Sequence, residues 1–177
     1  MRFHDVRLAG AVSAVMFTTV VAGGAAAQTQ PLKCTAPPLP GHVVNVTLAD
    51  MGPGMMSDGP GPQGMRMRLF ATPAKVPAGT VSLRVVNEGV IAHEVVVLPL
   101  ASGQAPGRRD EGSDQRVDEA GSLGEASHDC AAGKGEGISP GAMGWTTLTL
   151  RPGRYELVCN FPGHYVRGMY AELDVTG

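Results

Sequence analysis

The chain has 177 residues, 43% of them hydrophobic, and a formal net charge of −2 from 14 basic and 16 acidic residues. This length suits one domain with its own core. The weakly acidic balance excludes a nucleic-acid-binding protein that works through a basic surface.

The N-terminus has the features of a secretory signal. Arg2 and Arg7 precede a mostly apolar stretch that ends in the small residues 25–27, which offer a cleavage site. We therefore predict that residues 1–27 are removed on export to the periplasm or an equivalent extracytoplasmic compartment. The alternative is an uncleaved membrane anchor, because the apolar stretch approaches a spanning length. With cleavage, no membrane span is expected.

The rest of the chain is predicted to comprise an irregular arm at 28–42 and a domain at 43–177. Within the domain, short segments of alternating polarity are separated by turn residues, and helical periodicity is scarce. Strands are predicted at 43–48, 65–70, 80–87, 92–98, 145–150, 154–159 and 170–175. This pattern is typical of an all-β sandwich or barrel.

Two segments interrupt the strands, residues 51–64 and residues 102–144. The first is rich in Gly, Pro and Met and predicts a mobile loop, although its thioethers would also suit Cu(I). The second is a long Gly-rich acidic insertion with eight acidic and four basic residues between Arg108 and Glu136, a local charge of −4. Its composition predicts a solvated, partly disordered excursion. Its charge would also suit the steering of a basic partner.

A short loop near the C-terminus combines three metal-binding side chains. Cys159, His164 and Met169 place a thiolate, an imidazole and a thioether close together, with a Pro-Gly turn between the first two. Soft sulfur donors with imidazole favour copper, and a weak axial Met is typical of blue-copper electron-transfer sites. His93 is the candidate second imidazole. A structural zinc site is disfavoured because the chain has no Cys-x-x-Cys pair.

Two cysteines, Cys34 and Cys130, are left over if Cys159 binds a metal. An oxidising compartment would permit a disulfide between them. The sequence does not show whether their backbones approach within bonding reach. A disulfide and two free thiols are therefore both open.

The run from Cys159 to His164, followed by Met169, resembles the copper loop of the cupredoxins, especially of their azurin, rusticyanin and sulfocyanin branch. The run Asn87-Glu88-Gly89 with His93 is similar to the loop that carries the first His ligand in that family. The resemblance spans about residues 43–177, apart from the central insertion. It implies an all-β, Greek-key β-sandwich.

The resemblance also implies one type 1 copper, with His93, Cys159, His164 and Met169 as its ligands. The sequence departs from the family pattern at Glu94, where many members have Asn or Ser that ties the ligand loops together. This difference affects the surroundings of the thiolate, and thus the reduction potential, more than the ligand set.

The resemblance further implies an electron carrier and not an enzyme. The resemblance implies a monomer that passes one electron between redox proteins such as a c-type cytochrome, another copper protein or a terminal oxidase. Multicopper oxidases and nitrite reductases need further His clusters, and residues 28–177 contain only four His. The alternative function is a periplasmic copper carrier or storage protein, which would release copper readily to an acceptor.

Overall fold

The computed structural model describes residues 34–50 and 67–177, and these contain nine β-strands and no helix. The strands are β1 (His42–Asp50), β2 (Met67–Thr72), β3 (Lys75–Pro77), β4 (Gly79–Asn87), β5 (Val95–Leu100), β6 (Gly124–Ala126), β7 (Met143–Leu150), β8 (Gly153–Val158) and β9 (Tyr170–Thr176). Among the described residues, no helix is long and apolar enough to cross a membrane. The predicted signal at 1–27 and the Met-rich loop at 51–64 lie outside the described residues.

All seven predicted strands are present, and their ends shift by at most three residues where the structure describes them. Alternating side chains located them, because one face of each strand packs against the core. β3 and β6 were not predicted. Each has only three residues, which is too short for an alternating pattern to be recognised.

The strands form two sheets with the orders β2-β1-β4-β7 and β3-β9-β8-β5-β6. One hydrophobic cluster fills the space between them. In β1, the buried residues Val44, Val46 and Leu48 alternate with more exposed neighbours. Burying each such side chain contributes about 1.5–3 kcal/mol. The architecture confirms the predicted all-β Greek-key sandwich.

The pairing of the strands brings two loops to one end of the sandwich. β1 runs parallel to β4 with Leu48 opposite Asn87, so Asp50 lies beside the loop that follows β4. β8 and β9 are antiparallel with Val158 opposite Tyr170, so the loop between them leaves and re-enters the sheet at one place. The two loops carry the predicted metal ligands.

The segment 102–144 follows a defined path: it contains β6, and Ala126, Ile138 and Ala142 of its second half belong to the core between the sheets. Its first half is mostly solvent-accessible, and Val117 is the buried residue there. Val117 packs with Val96, Leu98, Val158 and Tyr165 on the outer face of the five-stranded sheet. Composition could not reveal this, because the contacts depend on partners distant in sequence. That the segment is an insertion relative to the family stays a prediction.

A disulfide joins Cys34 and Cys130, whose Cα atoms are 5.4 Å apart. It connects the N-terminal arm to the segment 102–144. Cys159 is buried and outside this bond, as a metal-binding role requires.

Candidate metal centre

Three of the four predicted ligands meet at the end of the sandwich. Donor atoms of His93, Cys159 and His164 all lie within 4.8 Å of one another. His93 Nδ1 is 3.2 Å from His164 Nδ1, and Cys159 Sγ is 3.7 Å and 3.3 Å from those two nitrogens. The centre of this triangle lies about 2 Å from each atom, close to the metal–ligand bond lengths of zinc sites, about 2.0–2.3 Å.

The backbone of the loop after β8 holds Cys159 and His164 in place. The Glu94 N–H donates to Cys159 Sγ over 3.4 Å, which links this loop to the one that carries His93. The His164 N–H donates to the Phe161 carbonyl over 2.9 Å. Gly163 has a φ of +71°, a conformation that a residue with a side chain rarely adopts, and it permits the turn before His164.

Met169, the predicted axial ligand, is fully buried in the core and immediately precedes β9. Its carbonyl accepts the Cys159 N–H over 3.0 Å, and its own N–H donates to the His164 carbonyl over 3.2 Å. The backbone thus keeps Met169 beside Cys159 and His164. Its role as a ligand stays a prediction.

Burial sets the protonation of the three donors. Desolvation, with smaller contributions from His93 and Arg167, lowers the pKa of His164 to about 4. Desolvation also lowers the pKa of His93, against the opposite effect of Asp50. Both imidazoles are therefore neutral near pH 7 and have a lone pair for a metal. Desolvation raises the pKa of Cys159 to about 12, so the metal-free protein carries a thiol.

Asp50 belongs to this site and was not predicted from the sequence. Its side chain is fully buried at the end of β1, and its Oδ2 is 3.3 Å from His93 Nε2. The backbone N–H groups of Val90 and Ile91 donate to its two oxygens over 2.6 and 3.1 Å. The sequence offers no signal for this role, since 43 residues separate Asp50 from His93.

Glu94, the position that departs from the family pattern, is 7% exposed, and its Oε1 has no hydrogen-bond partner among the described residues. Burial, with smaller contributions from Glu125 and Glu119, raises its pKa to about 7. Arg116 and a backbone hydrogen bond from Asn160 act in the opposite direction. The contact by which this residue connects the two ligand loops is the bond from its backbone N–H to Cys159 Sγ.

Part of the segment 102–144 packs directly on the loop after β8. Asn160, next to Cys159, accepts the Val117 N–H over 2.8 Å and donates to the Val117 carbonyl over 3.0 Å. The Gly163 N–H donates to the Gln115 carbonyl over 2.8 Å. These bonds make the segment a support for the ligand loop.

A buried polar network around Glu156 also holds the segment 102–144 against β8 and the ligand loop. Glu156, fully buried on β8, accepts hydrogen bonds from Arg109 Nε over 2.7 Å, from the Tyr165 hydroxyl over 2.9 Å and from the Gly107 N–H over 2.6 Å. The network links the segment 102–144, the sheet and the residue after His164.

An open depression of about 560 Å³ lies beside the ligand loop. Arg116 and five acidic residues contribute to its lining, together with Asn160 from the loop itself. The acidic residues are Asp110, Glu111, Asp114, Asp118 and Glu119. The Val166 N–H of the loop donates to Glu111 over 3.0 Å, so acidic surface directly adjoins the ligands.

The two remaining His of the domain lie elsewhere. His42 is exposed at the start of β1, and His128 is exposed with its Nδ1 2.9 Å from the Asp129 carbonyl oxygen. Neither belongs to the group formed by His93, Cys159 and His164.

The residues fit a type 1 copper. Two neutral imidazoles present Nδ1 toward one thiol, the three donors are almost wholly buried, and a buried Met adjoins them in the chain. Soft sulfur and imidazole donors of this kind are those of blue-copper sites.

The family comparison agrees with this assignment. A model of the sulfocyanin (SoxE) domain matches residues 68–177, more than half of the chain. Among solved structures, reduced rusticyanin is 24% identical with a TM-score of 0.44, and the match covers 77% of this chain and 81% of that one.

Two further structures are similar to a comparable degree. Rusticyanin from Thiobacillus ferrooxidans is 23% identical with a TM-score of 0.43, covering 77% of this chain and 79% of its own. Dithionite-reduced auracyanin from the photosynthetic bacterium Roseiflexus castenholzii is 18% identical with a TM-score of 0.43, and the match covers 78% of this chain and 99% of that one. No curated protein matches the chain.

Proposed function

This chain belongs to the sulfocyanin family of blue copper proteins, and on that premise we propose that it is an exported carrier of single electrons between redox proteins. The observation that carries the proposal is the buried group of His93, Cys159 and His164. Bound copper supplies a one-electron couple between Cu(II) and Cu(I). Met169 is the proposed fourth ligand.

The protein's own part is to hold the donors in one arrangement. The hydrogen bond from the Glu94 N–H to Cys159 Sγ ties the two ligand loops together, and the network around Glu156 holds the segment that packs on the second of them. Burial of the donors keeps water away from the centre. A site fixed in this way needs little rearrangement when its charge changes, which favours rapid electron transfer.

The partner would approach at His164, which is 8% exposed, whereas His93 and Cys159 are fully buried. Val166, two residues on, is 72% exposed and provides apolar contact area. The acidic depression beside the loop would attract a basic partner and accelerate encounter at low salt. A c-type cytochrome with a basic docking face fits best, and another copper protein or a terminal oxidase with such a face would also fit.

The partner proposal is tested by measuring electron transfer to a basic c-type cytochrome at low and high salt. Combining Asp110→Asn with Asp118→Asn removes two exposed charges from the depression. We expect a several-fold lower bimolecular rate at low salt and little difference at high salt. The control is Asp174→Asn on β9, which removes a charge that is paired with Lys75. Equal effects of both changes would refute steering by the depression.

The carrier alternative predicts a different exchange behaviour. A copper carrier must release its ion to an acceptor, whereas this site encloses its donors and fixes both ligand loops. We expect the Cu(I)-loaded protein to exchange electrons with an oxidised partner far faster than it loses copper to a competing chelator. Copper loss within the time of electron exchange would favour the carrier function.

A further inference from the structure

The orientation of His93 depends on a group that no ligand loop contributes. Asp50 comes from the end of β1, outside the segment matched by the sulfocyanin domain model. The side chains of Asp50 and His93 are both fully buried, and Asp50 Oδ2 lies 3.3 Å from His93 Nε2. The parallel pairing of β1 with β4 delivers it to this place.

The hydrogen bonds of Asp50 define the protonated nitrogen of His93. A carboxylate can only accept hydrogen bonds. Oδ1 accepts the Val90 N–H, and Oδ2 accepts the Ile91 N–H. The remaining neighbour, His93 Nε2, must therefore carry the proton and donate. Nδ1 is then left with its lone pair, and Nδ1 is the atom that faces Cys159 and His164.

The local sequence makes room for this contact. A Cβ on Gly89 would lie 2.6 Å from Asp50 Oδ1 and 3.0 Å from His93 Nε2. The Gly89 N–H donates to the Asn87 side chain over 2.8 Å, and that side chain also donates to the Ile91 carbonyl over 2.8 Å. The loop is therefore shaped around the carboxylate by hydrogen bonds on both sides.

We propose that Asp50 is a positioning residue for the copper ligand His93: its carboxylate holds Nε2–H, presents Nδ1 to the metal and adds negative charge behind the ring. This inference rests on the proposed copper function. Carboxylates that accept the outer N–H of a metal-bound His fix the ring and increase its basicity, and losing them costs about 10- to 100-fold in metal affinity. The added negative charge stabilises Cu(II) relative to Cu(I), so it lowers the reduction potential.

The first test is nitrogen NMR of the His rings in the metal-free, full-length protein. We expect His93 to be in the Nε2–H form, with slow exchange of that proton. Asp50→Asn places an amide NH₂ against N–H donors whichever way it turns. We expect it to shift His93 toward the Nδ1–H form. A wild-type protein with His93 mainly in the Nδ1–H form would overturn the inference.

The second test measures copper affinity and reduction potential in the same variants. Asp50→Asn should lower Cu(II) affinity by about 10- to 100-fold and raise the potential while the blue band persists. Gly89→Ala keeps the carboxylate but places a Cβ against Asp50 Oδ1 and, less closely, against His93 Nε2, so it disturbs the contact between these two groups. It should act in the same direction and serves if Asp50→Asn does not fold. Asp174→Asn, which removes a partly exposed charge on β9, is the control.

The outcomes separate this inference from the function on which it rests. Unchanged affinity and potential in both site variants, with a blue wild-type protein, would overturn the role of Asp50 and leave the copper function standing. A wild-type protein without a blue band would overturn the copper function and the inference with it.

Discussion

Replacing Glu94 by Gln tests how the buried carboxyl next to His93 affects stability. Burial raises the pKa of Glu94 from 4.5 to about 7. A group whose pKa is raised by folding contributes stability that is complete below its unfolded pKa and is lost as pH rises through its folded pKa. Ionisation of Glu94 should therefore weaken the fold between about pH 4.5 and pH 7.

The magnitude follows from the size of the pKa change. At about 1.36 kcal/mol per pKa unit, ionised Glu94 costs the folded protein about 3 kcal/mol by pH 8. Gln has no charge to bury. The free energy of unfolding of Glu94→Gln, minus that of the wild type, should therefore rise by up to about 3 kcal/mol between pH 4.5 and pH 8. The lowered pKa values of His93 and His164 destabilise both proteins at acidic pH and cancel in this difference.

The assay is urea unfolding of the metal-free, full-length protein with its disulfide intact, at several pH values. Glu88→Gln, the same substitution at an exposed position of the same loop, is the matched control and should show no such trend. A Glu94→Gln difference that does not depend on pH, or that grows toward acidic pH, would refute the argument that burial raises this pKa.

Three other changes probe the ligands and their support. Met169→Leu should keep copper and raise the reduction potential, because a weak donor to Cu(II) is lost; voltammetry that finds an equal or lower potential would exclude an axial role. Copper uptake near pH 7.5 should release one proton, since the pKa of Cys159 is about 12 without metal and the thiolate is the ligand. Calorimetry in buffers of different ionisation enthalpy measures the number of protons released. Copper uptake without proton release would contradict binding by the thiolate. Glu156→Gln should lower the free energy of unfolding by about 3 kcal/mol, because it breaks a buried ion pair. The ion pair between Glu172 and Arg154 is more exposed and provides the control: Glu172→Gln should lower the free energy of unfolding by about 1 kcal/mol or less. Equal losses of stability in the two variants would contradict the role of burial.

The fold was predictable where one face of a strand is buried, as in the alternation of Val44, Val46 and Leu48. The ligand loop was predictable because Cys159, His164 and Met169 lie within eleven consecutive residues. Local sequence contains all the information that such a loop needs.

The supports of the site were not predictable, because they come from pairings distant in sequence. Asp50 reaches His93 only through the parallel pairing of β1 with β4. Val117 is buried against Val96, Leu98, Val158 and Tyr165, and Asn160, 43 residues away, bonds both its N–H and its carbonyl. A composition rich in Gly and acidic residues predicts a solvated segment, because composition contains no information about the distant residues that pack against it.

The copper site itself is tested by the visible absorption and EPR spectra of the full-length protein and of Cys159→Ala, each with one equivalent of Cu(II). We expect an intense thiolate-to-copper band and a mononuclear type 1 signal in the wild type, both lost in the variant. A pale wild-type protein with an ordinary tetragonal copper signal, or a variant that stays blue, would contradict this copper site.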